Sequence, residues 1–227
     1  FNFAYGEGGR DEFQKDKYED QAAGALEEAY EAVGEILRAN RSKKTDVVLY
    51  TKKEYDFHFG GSQLGQALGF YSGKIRINGA ERFTPDVKAT LVHEYTHAVV
   101  DELTDARRIP VWVNEGLATY VENEWRLTHH LAEADNRLKG ALKKGAAAGQ
   151  LPSLTQLNVS FASLSNPRVG YATAEKAVRI LIGARGVDNF VQFLRDCRTE
   201  SFEELLQNRY TTKLADLDYE VKSEFQR

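Results

Sequence analysis

The segment LVHEYTHAVVDEL (residues 91–103) decides the fold we expect, because it places His93, Glu94 and His97 in one apolar stretch with helical spacing. Two imidazoles four residues apart lie on one face of an α-helix, about 40° apart around its axis. This is the H-E-x-x-H arrangement, in which both His bind zinc and the Glu acts as general base. The segment therefore predicts a helix that carries one Zn²⁺ per chain.

The residues before this helix are rich in strand patterns. Alternating or compact apolar runs predict strands at 1–6, 46–51 and 74–79. Between the first two, apolar residues at helical spacing predict an amphipathic helix over 15–39. The strand at 74–79 alternates apolar with polar residues, so we expect it at an edge of the sheet, where it could bind substrate.

The residues from 84 onward are almost wholly helical in pattern. Thr84 and Pro85 predict the start of the motif helix by the N-cap and N1 preferences, and its end is expected near Leu103. Further helices are predicted from Pro110 or Trp112 onward, and over 128–144, 171–184, 187–197, 201–208 and 214–225.

These patterns predict an α+β fold. We expect a small N-terminal subdomain at 1–83, with a mixed sheet and one helix, and a mainly helical subdomain at 84–227. The two would form one compact catalytic unit, with a cleft where they meet.

Composition limits the partners that we expect. A net charge of −4 does not favour nucleic acid, and no apolar run approaches the roughly 18 residues of a membrane-spanning helix. Cys197 is the only cysteine, so an internal disulfide and a cysteine-based zinc site are excluded. There is no Met, even at position 1, so we expect a processed product or a domain of a longer protein. The compartment stays open, with a bacterial extracytoplasmic location favoured.

A catalytic zinc site needs a third protein ligand and an open position. A metzincin would have Gly at position 100 and His at position 103, where this chain has Val100 and Leu103. A carboxylate on the next helix is the other common solution, and the segment WVNEGLA offers Glu115. His129 or His130 is the remaining alternative, although nothing around them indicates a site. Glu115 is therefore the predicted third ligand.

HEYTHAVVDEL followed by WVNEGLATY resembles the gluzincin zinc metallopeptidases, of the thermolysin-like and aminopeptidase-like clan, and is closest in style to the bacterial peptidase MA-like domain. The resemblance implies a zincin-like fold and a peptidase that hydrolyses peptides or proteins with a zinc-activated water. It implies His93, His97 and Glu115 as metal ligands and Glu94 as general base. It also implies Tyr171, at the start of a later helix, as the donor to the oxyanion; the competitors are Tyr120, Arg168 and His129.

The resemblance also indicates residues that orient the ligands. Asn114 matches the Asn that often precedes the ligand Glu and can orient a His. Thermolysin-like members carry an Asp one turn after that Glu, where this chain has Thr119. The support for one His would then come from Thr119 itself or from another carboxylate such as Asp101.

Two other functions remain open beside a peptidase. One is a catalytically inactive peptidase-like binding domain, although such proteins usually lose the base or a ligand, which this chain retains. The other is a structural zinc site, closed by a fourth ligand such as His129. The strand at 74–79 can bind an extended peptide by β-addition if it lies at an edge. The absence of an amine-binding motif in the strand region favours an endopeptidase.

Overall fold

The computed structural model describes most of the chain, which divides into two compact units. The described residues are 1–5, 12–78, 83–131, 133–159, 161 and 164–223. The first unit comprises Phe1–Glu35 and Ala39–Val99, and the second comprises Ile36–Arg38 and Val100–Arg227. The division at 83/84, which follows the change from strand to helix patterns, stays a prediction.

One mixed four-stranded sheet is present among the described residues, and it lies in the first unit. Its strands are β1 (Asn2–Tyr5), β2 (Asp46–Leu49), β3 (Gly69–Tyr71) and β4 (Ile75–Ile77). The order is β1-β2-β4-β3; β2 is parallel to both β1 and β4, and β3 is antiparallel to β4. The three predicted strands are confirmed, although Gly6 and Gly79 lie outside the described residues.

The expectation that the strand at 74–79 lies at an edge is wrong. This strand is β4, which pairs with β2 on one side and with β3 on the other. It alternates because Ile75 and Ile77 are fully buried, whereas the Arg76 guanidinium lies over the Phe70 ring, 5.2 Å from its centroid. The edge strand on this side of the sheet is β3. Its three residues begin with Gly69 and are too few to show an alternation of apolar and polar residues.

Helices α1 (Glu12–Leu37), α2 (Lys52–Phe59) and α3 (Pro85–Thr104) and a 3₁₀ helix at Gln63–Gln66 accompany the strands. α1 and α3 confirm two predicted helices. Thr84 caps α3, since its Oγ1 accepts the Val87 backbone N–H at 3.4 Å. Within the first unit, α1 contacts α3 through an ion pair of Glu28 with Lys88, 2.7 Å long. The helix α2 was not predicted.

The described residues of the second unit form helices joined by turns, with no strand among them. After the end of α3 its helices are α4 (Val111–Thr128), α5 (Glu133–Ala147), α6 (Leu154–Leu157), α7 (Pro167–Arg185), α8 (Val187–Asp196), α9 (Phe202–Tyr210) and α10 (Leu214–Ser223). They confirm the predicted helices with shifted ends, apart from the four-residue α6, which was not predicted. No described helix has the length and apolar character needed to cross a bilayer.

α4 and α7 approach each other closely at Gly116. A Cβ at this position would lie 2.5 Å from the Ala174 carbonyl oxygen, nearer than real Cβ atoms come. Farther along, Arg179 on α7 bonds Glu124 on α4 at 2.9 Å and Glu175 on its own helix at 2.6 Å. The Gly of the N-E-G sequence is thus explained by helix packing, because only glycine leaves room for the α7 backbone.

Candidate metal centre

His93 and His97 lie one turn apart on α3, and their ring centroids are 4.9 Å apart. His97 is buried and His93 half-buried. Another face of the same turn is anchored inside the first unit, because the Tyr95 hydroxyl donates to Asn40 Oδ1 at 2.8 Å. The amide of Asn40 in turn donates to the Tyr30 carbonyl on α1 at 2.9 Å. These bonds hold the motif helix so that both imidazoles remain on one side.

Glu115 is the residue that the structure groups with the two His. Each of His93, His97 and Glu115 offers one ligand atom, and these atoms all lie within 4.8 Å of one another. Ligand atoms around tetrahedral zinc are about 3.3 Å apart, from bond lengths of about 2.0–2.2 Å. Small side-chain rotations would therefore bring the three onto one ion. Two imidazole nitrogens and a carboxylate oxygen suit zinc, so these residues can hold a metal ion.

His129 and His130 are not in this group, which is the one found among the described residues. His129 Nδ1 lies 2.8 Å from the Trp125 carbonyl oxygen, and its ring stacks on that of Trp125 with centroids 4.3 Å apart. It therefore caps the end of α4. His130 follows with a positive φ of 56° and is exposed.

Glu94 is buried, with 9% of its surface exposed. Its Oε2 accepts the backbone N–H of Tyr71 at 2.7 Å, so the carboxylate lies beside the edge strand β3. Burial raises the pKa of the nearby Tyr55 phenol to about 12, and the negative charge of Glu94 adds to this rise. Sequence reasoning missed the contact with Tyr71, since nothing local links a Gly-rich segment to a residue 23 positions later.

Tyr171 is the fifth residue of α7 rather than a residue of its first turn, because the helix begins at Pro167, four residues earlier than expected. The side chain is half-buried, and its ring lies 4.8 Å from that of Phe161. Its competitor Tyr120 lies under the Arg179 guanidinium, 4.7 Å from the ring centroid. Which group acts as the oxyanion donor stays a prediction.

The three predicted supporting residues are all on the ligand-bearing helices. Asn114 precedes Glu115 in the first turn of α4 and is half-buried, as is Asp101, one turn after His97 on α3. Thr119 is buried one turn after Glu115, and its hydroxyl has no hydrogen-bond partner in the part of the chain that the structure describes. Their roles toward the His stay predictions.

One further residue escaped the sequence analysis, although it stabilises the motif helix. Arg198 donates from Nε to the Leu103 carbonyl at 2.8 Å and from Nη2 to the Glu102 carbonyl at 2.6 Å. These carbonyls are at the end of α3, past its last helical hydrogen bonds, and that of Glu102 also accepts the Asp105 N–H at 3.3 Å. A cation there also interacts favourably with the helix dipole.

Comparison with known families identifies the superfamily of the chain. The model of the Peptidase MA superfamily matches residues 72–225, more than half of the chain. The chain belongs to this superfamily. No curated protein and no solved structure matches it. The resemblance inferred from HEYTH and NEG is thus confirmed at the level of the superfamily, whose members are generally zinc-dependent.

Proposed function

We propose that this chain is a zinc-dependent peptidase that hydrolyses peptide bonds in extended peptides or protein segments. The observation that carries the proposal is the group of His93, His97 and Glu115, with ligand atoms within 4.8 Å, in a chain of the Peptidase MA superfamily. Three protein ligands leave one position open, as in catalytic zinc sites. A zincin-like arrangement, with the active site in a cleft, is part of this proposal.

We assign the acid–base chemistry to the other residues predicted from the sequence. A bound Zn²⁺ would polarise the scissile carbonyl and bring the pKa of a water to roughly 7. Glu94 then takes a proton from the attacking water and passes it to the leaving amine. Tyr171 donates a hydrogen bond to the carbonyl oxygen as negative charge develops there. Asn114, Thr119 and Asp101 orient the ligands.

The free edge of β3 is the proposed binding place for the substrate backbone, in place of the strand at 74–79. Ser72 N–H donates to the Lys74 carbonyl, and Asn78 N–H to the Leu68 carbonyl, both at 3.1 Å. Backbone groups alternate in direction along a paired strand, so the intervening Gly69 turns its N–H and C=O away from β4. Tyr71 faces the same way, but its N–H donates to Glu94 Oε2. An extended peptide can pair with the outward groups of Gly69 by β-addition.

The proposal is tested by digestion of a peptide library with zinc-loaded protein. We expect cleavage within peptides, loss of cleavage when a chelator removes the metal, and recovery when zinc is restored. Glu94→Gln should keep zinc and lose activity by a factor of at least about 10², the range for general acid–base catalysis. Glu203→Gln, at an exposed position on α9, is the matched control. Full activity of Glu94→Gln would contradict the assignment of the base.

The same samples distinguish the rival functions. Zinc binding with peptide binding but without cleavage would identify a peptidase-like binding domain. A metal coordinated by four protein ligands, seen by X-ray absorption, would identify a structural site. Three protein ligands with a water, together with chelator-sensitive cleavage, support the peptidase.

A further inference from the structure

The edge strand β3 has two outward-facing backbone N–H groups, those of Gly69 and Tyr71, because its residues 68, 70 and 72 face β4. The Tyr71 group is already used: it donates to Glu94 Oε2 at 2.7 Å. A peptide carbonyl would occupy this place if the sheet were extended by another strand. The carboxylate of the proposed base therefore occupies the place where an added strand would accept a hydrogen bond from Tyr71.

The backbone at Tyr71 is held firmly enough to act as a fixed donor. Phe70 packs its ring 5.0 Å from Phe59, and the Arg76 guanidinium covers it at 5.2 Å. At the start of the hairpin, Asn78 donates from its side chain to the Ala67 carbonyl at 2.7 Å. These contacts hold one face and one end of this three-residue strand.

We propose that the backbone N–H of Tyr71 positions the carboxylate of Glu94, and that the N–H of Gly69 is the outward amide left to bind substrate. A charge-assisted bond holds Oε2 and restricts rotation of the carboxylate, so that Oε1 keeps one direction. The two neighbouring amides of one strand thus have separate tasks, one toward the base and one toward the peptide. This inference rests on the proposed function for its catalytic part only.

The positioning bond is tested first in metal-free protein by amide hydrogen exchange. In the wild type, the Tyr71 amide should exchange slowly. Glu94→Ala should speed its exchange roughly 10- to 100-fold, since a hydrogen bond to a charged group is worth about one to two factors of ten. Glu94→Gln, whose side-chain carbonyl can still accept, should change the rate much less. Glu94→Asp replaces Glu94→Ala if the latter does not fold.

The Gly69 amide is the internal control in this experiment. It lies on the same edge of β3, two residues away, and its exchange rate should be the same in the wild type and in all Glu94 variants. Equal Tyr71 rates in the wild type and Glu94→Ala would overturn the proposal. Faster exchange at both Gly69 and Tyr71 would do so too, since the whole edge would then have loosened.

The division of tasks is tested by replacing each amide with an ester, through incorporation of the α-hydroxy analogue. The ester at Tyr71 should lower kcat roughly 10-fold or more with KM nearly unchanged, because the base is less well placed. The ester at Gly69 should raise KM and leave kcat nearly unchanged. An ester at Glu203, an exposed position in the first turn of α9, is the control and should leave both constants close to the wild type. A raised KM with unchanged kcat for the Tyr71 ester would overturn the proposal.

The two experiments fail in different ways. If the zinc-loaded wild type cleaves nothing, the proposed function fails, and the exchange rates in metal-free protein still decide whether Tyr71 holds Glu94. If cleavage is chelator-sensitive but the exchange rates do not respond to Glu94, the peptidase stands and the positioning role is refuted.

Discussion

Glu115 illustrates what a single residue contributes to this chain. It is separated from the second motif His by 18 positions and by the end of one helix and the start of another. Its carboxylate nevertheless lies within 4.8 Å of the ligand atoms of His93 and His97. The ligand count of a catalytic zinc site predicted Glu115 from the sequence, because His129, the main alternative, had no supporting context; the role of Glu115 as a ligand stays a prediction.

The third ligand can be checked by zinc affinity. Glu115→Gln removes the anionic oxygen and should weaken zinc binding by at least about 100-fold. Substitution of residues that only hydrogen-bond to metal ligands already lowers metal affinity by about 10–100-fold. His129→Ala should leave the affinity within about twofold, although it removes the contact with the Trp125 carbonyl at the end of α4. Competition with a chromophoric chelator measures both, and the reverse order of effects would favour His129 as the ligand.

Tyr171 is tested by removing only its hydroxyl. If it donates to the developing oxyanion, Tyr171→Phe should lower kcat by roughly 10²–10³, with little change in KM or zinc content. The substituted ring can still pack against Phe161, so the thermal midpoint of unfolding should remain close to the wild type. Steady-state kinetics and thermal unfolding together decide the role, and an unchanged kcat would return the assignment to Tyr120 or Arg168.

At the scale of elements, local signals predicted the long helices and failed on the short strand. The start of α3 follows from Thr84 and Pro85, whose preferences act within one turn. β3 has three residues, one of them Gly69, and gives no measurable period. The order of strands depends on tertiary contacts. The alternation of residues in β4 therefore could not show that β3 would pair with it and make it an interior strand. The same limit hid the bond between Tyr71 and Glu94.

The close approach of α4 and α7 predicts opposite effects for two glycines. Gly116→Ala would place a Cβ 2.5 Å from the Ala174 carbonyl oxygen, so it should lower the free energy of unfolding by about 1–3 kcal/mol. Gly183→Ala, on the exposed side of α7, meets nothing within 4 Å. It should raise the free energy of unfolding by about 0.5–1 kcal/mol, since alanine favours helix. Urea denaturation measures both, and equal effects would contradict the packing argument.

For the whole molecule, buried phenol and thiol groups make the free energy of unfolding depend on pH in the alkaline range. Burial raises the pKa of Tyr55 and of Tyr210 to about 12, and that of Cys197 to about 11. Each group ionises more readily in the unfolded chain, near about 10 for Tyr and 8.5 for Cys. Their contribution is therefore complete below about pH 8 and is lost as the pH rises toward 12.

Two substitutions test this dependence. The hydroxyl of Tyr210 has no hydrogen-bond partner among the described residues, so Tyr210→Phe should change stability little at pH 7 and reduce the loss between pH 10 and 12. Tyr219→Phe, at a position 71% exposed, should leave the pH profile unchanged. Urea midpoints at a series of pH values give the profile, and a Tyr210→Phe curve parallel to the wild type would refute the assignment.

The α+β class, the positions of the long helices and the superfamily could be predicted from sequence, because each depends on patterns within a few turns or on one specific motif. One boundary between the two compact units falls inside α3, between Val99 and Val100. No composition change marks that point, since the helix is continuous through it. Such boundaries depend on contacts between distant residues, which a single sequence does not display.

The contact of Gly116 with the Ala174 carbonyl also fixes the roll of α4 about its own axis. Each residue turns a helix by about 100°, and within the described part of α4 Gly116 is the glycine that can face the α7 backbone at this range. A roll by one position in either direction would bring a side chain into that gap. The direction in which Glu115, one residue earlier, projects from α4 is therefore set by a neighbouring glycine that takes no part in metal binding. The orientation of a charged side chain thus depends on the absence of a Cβ at the next position.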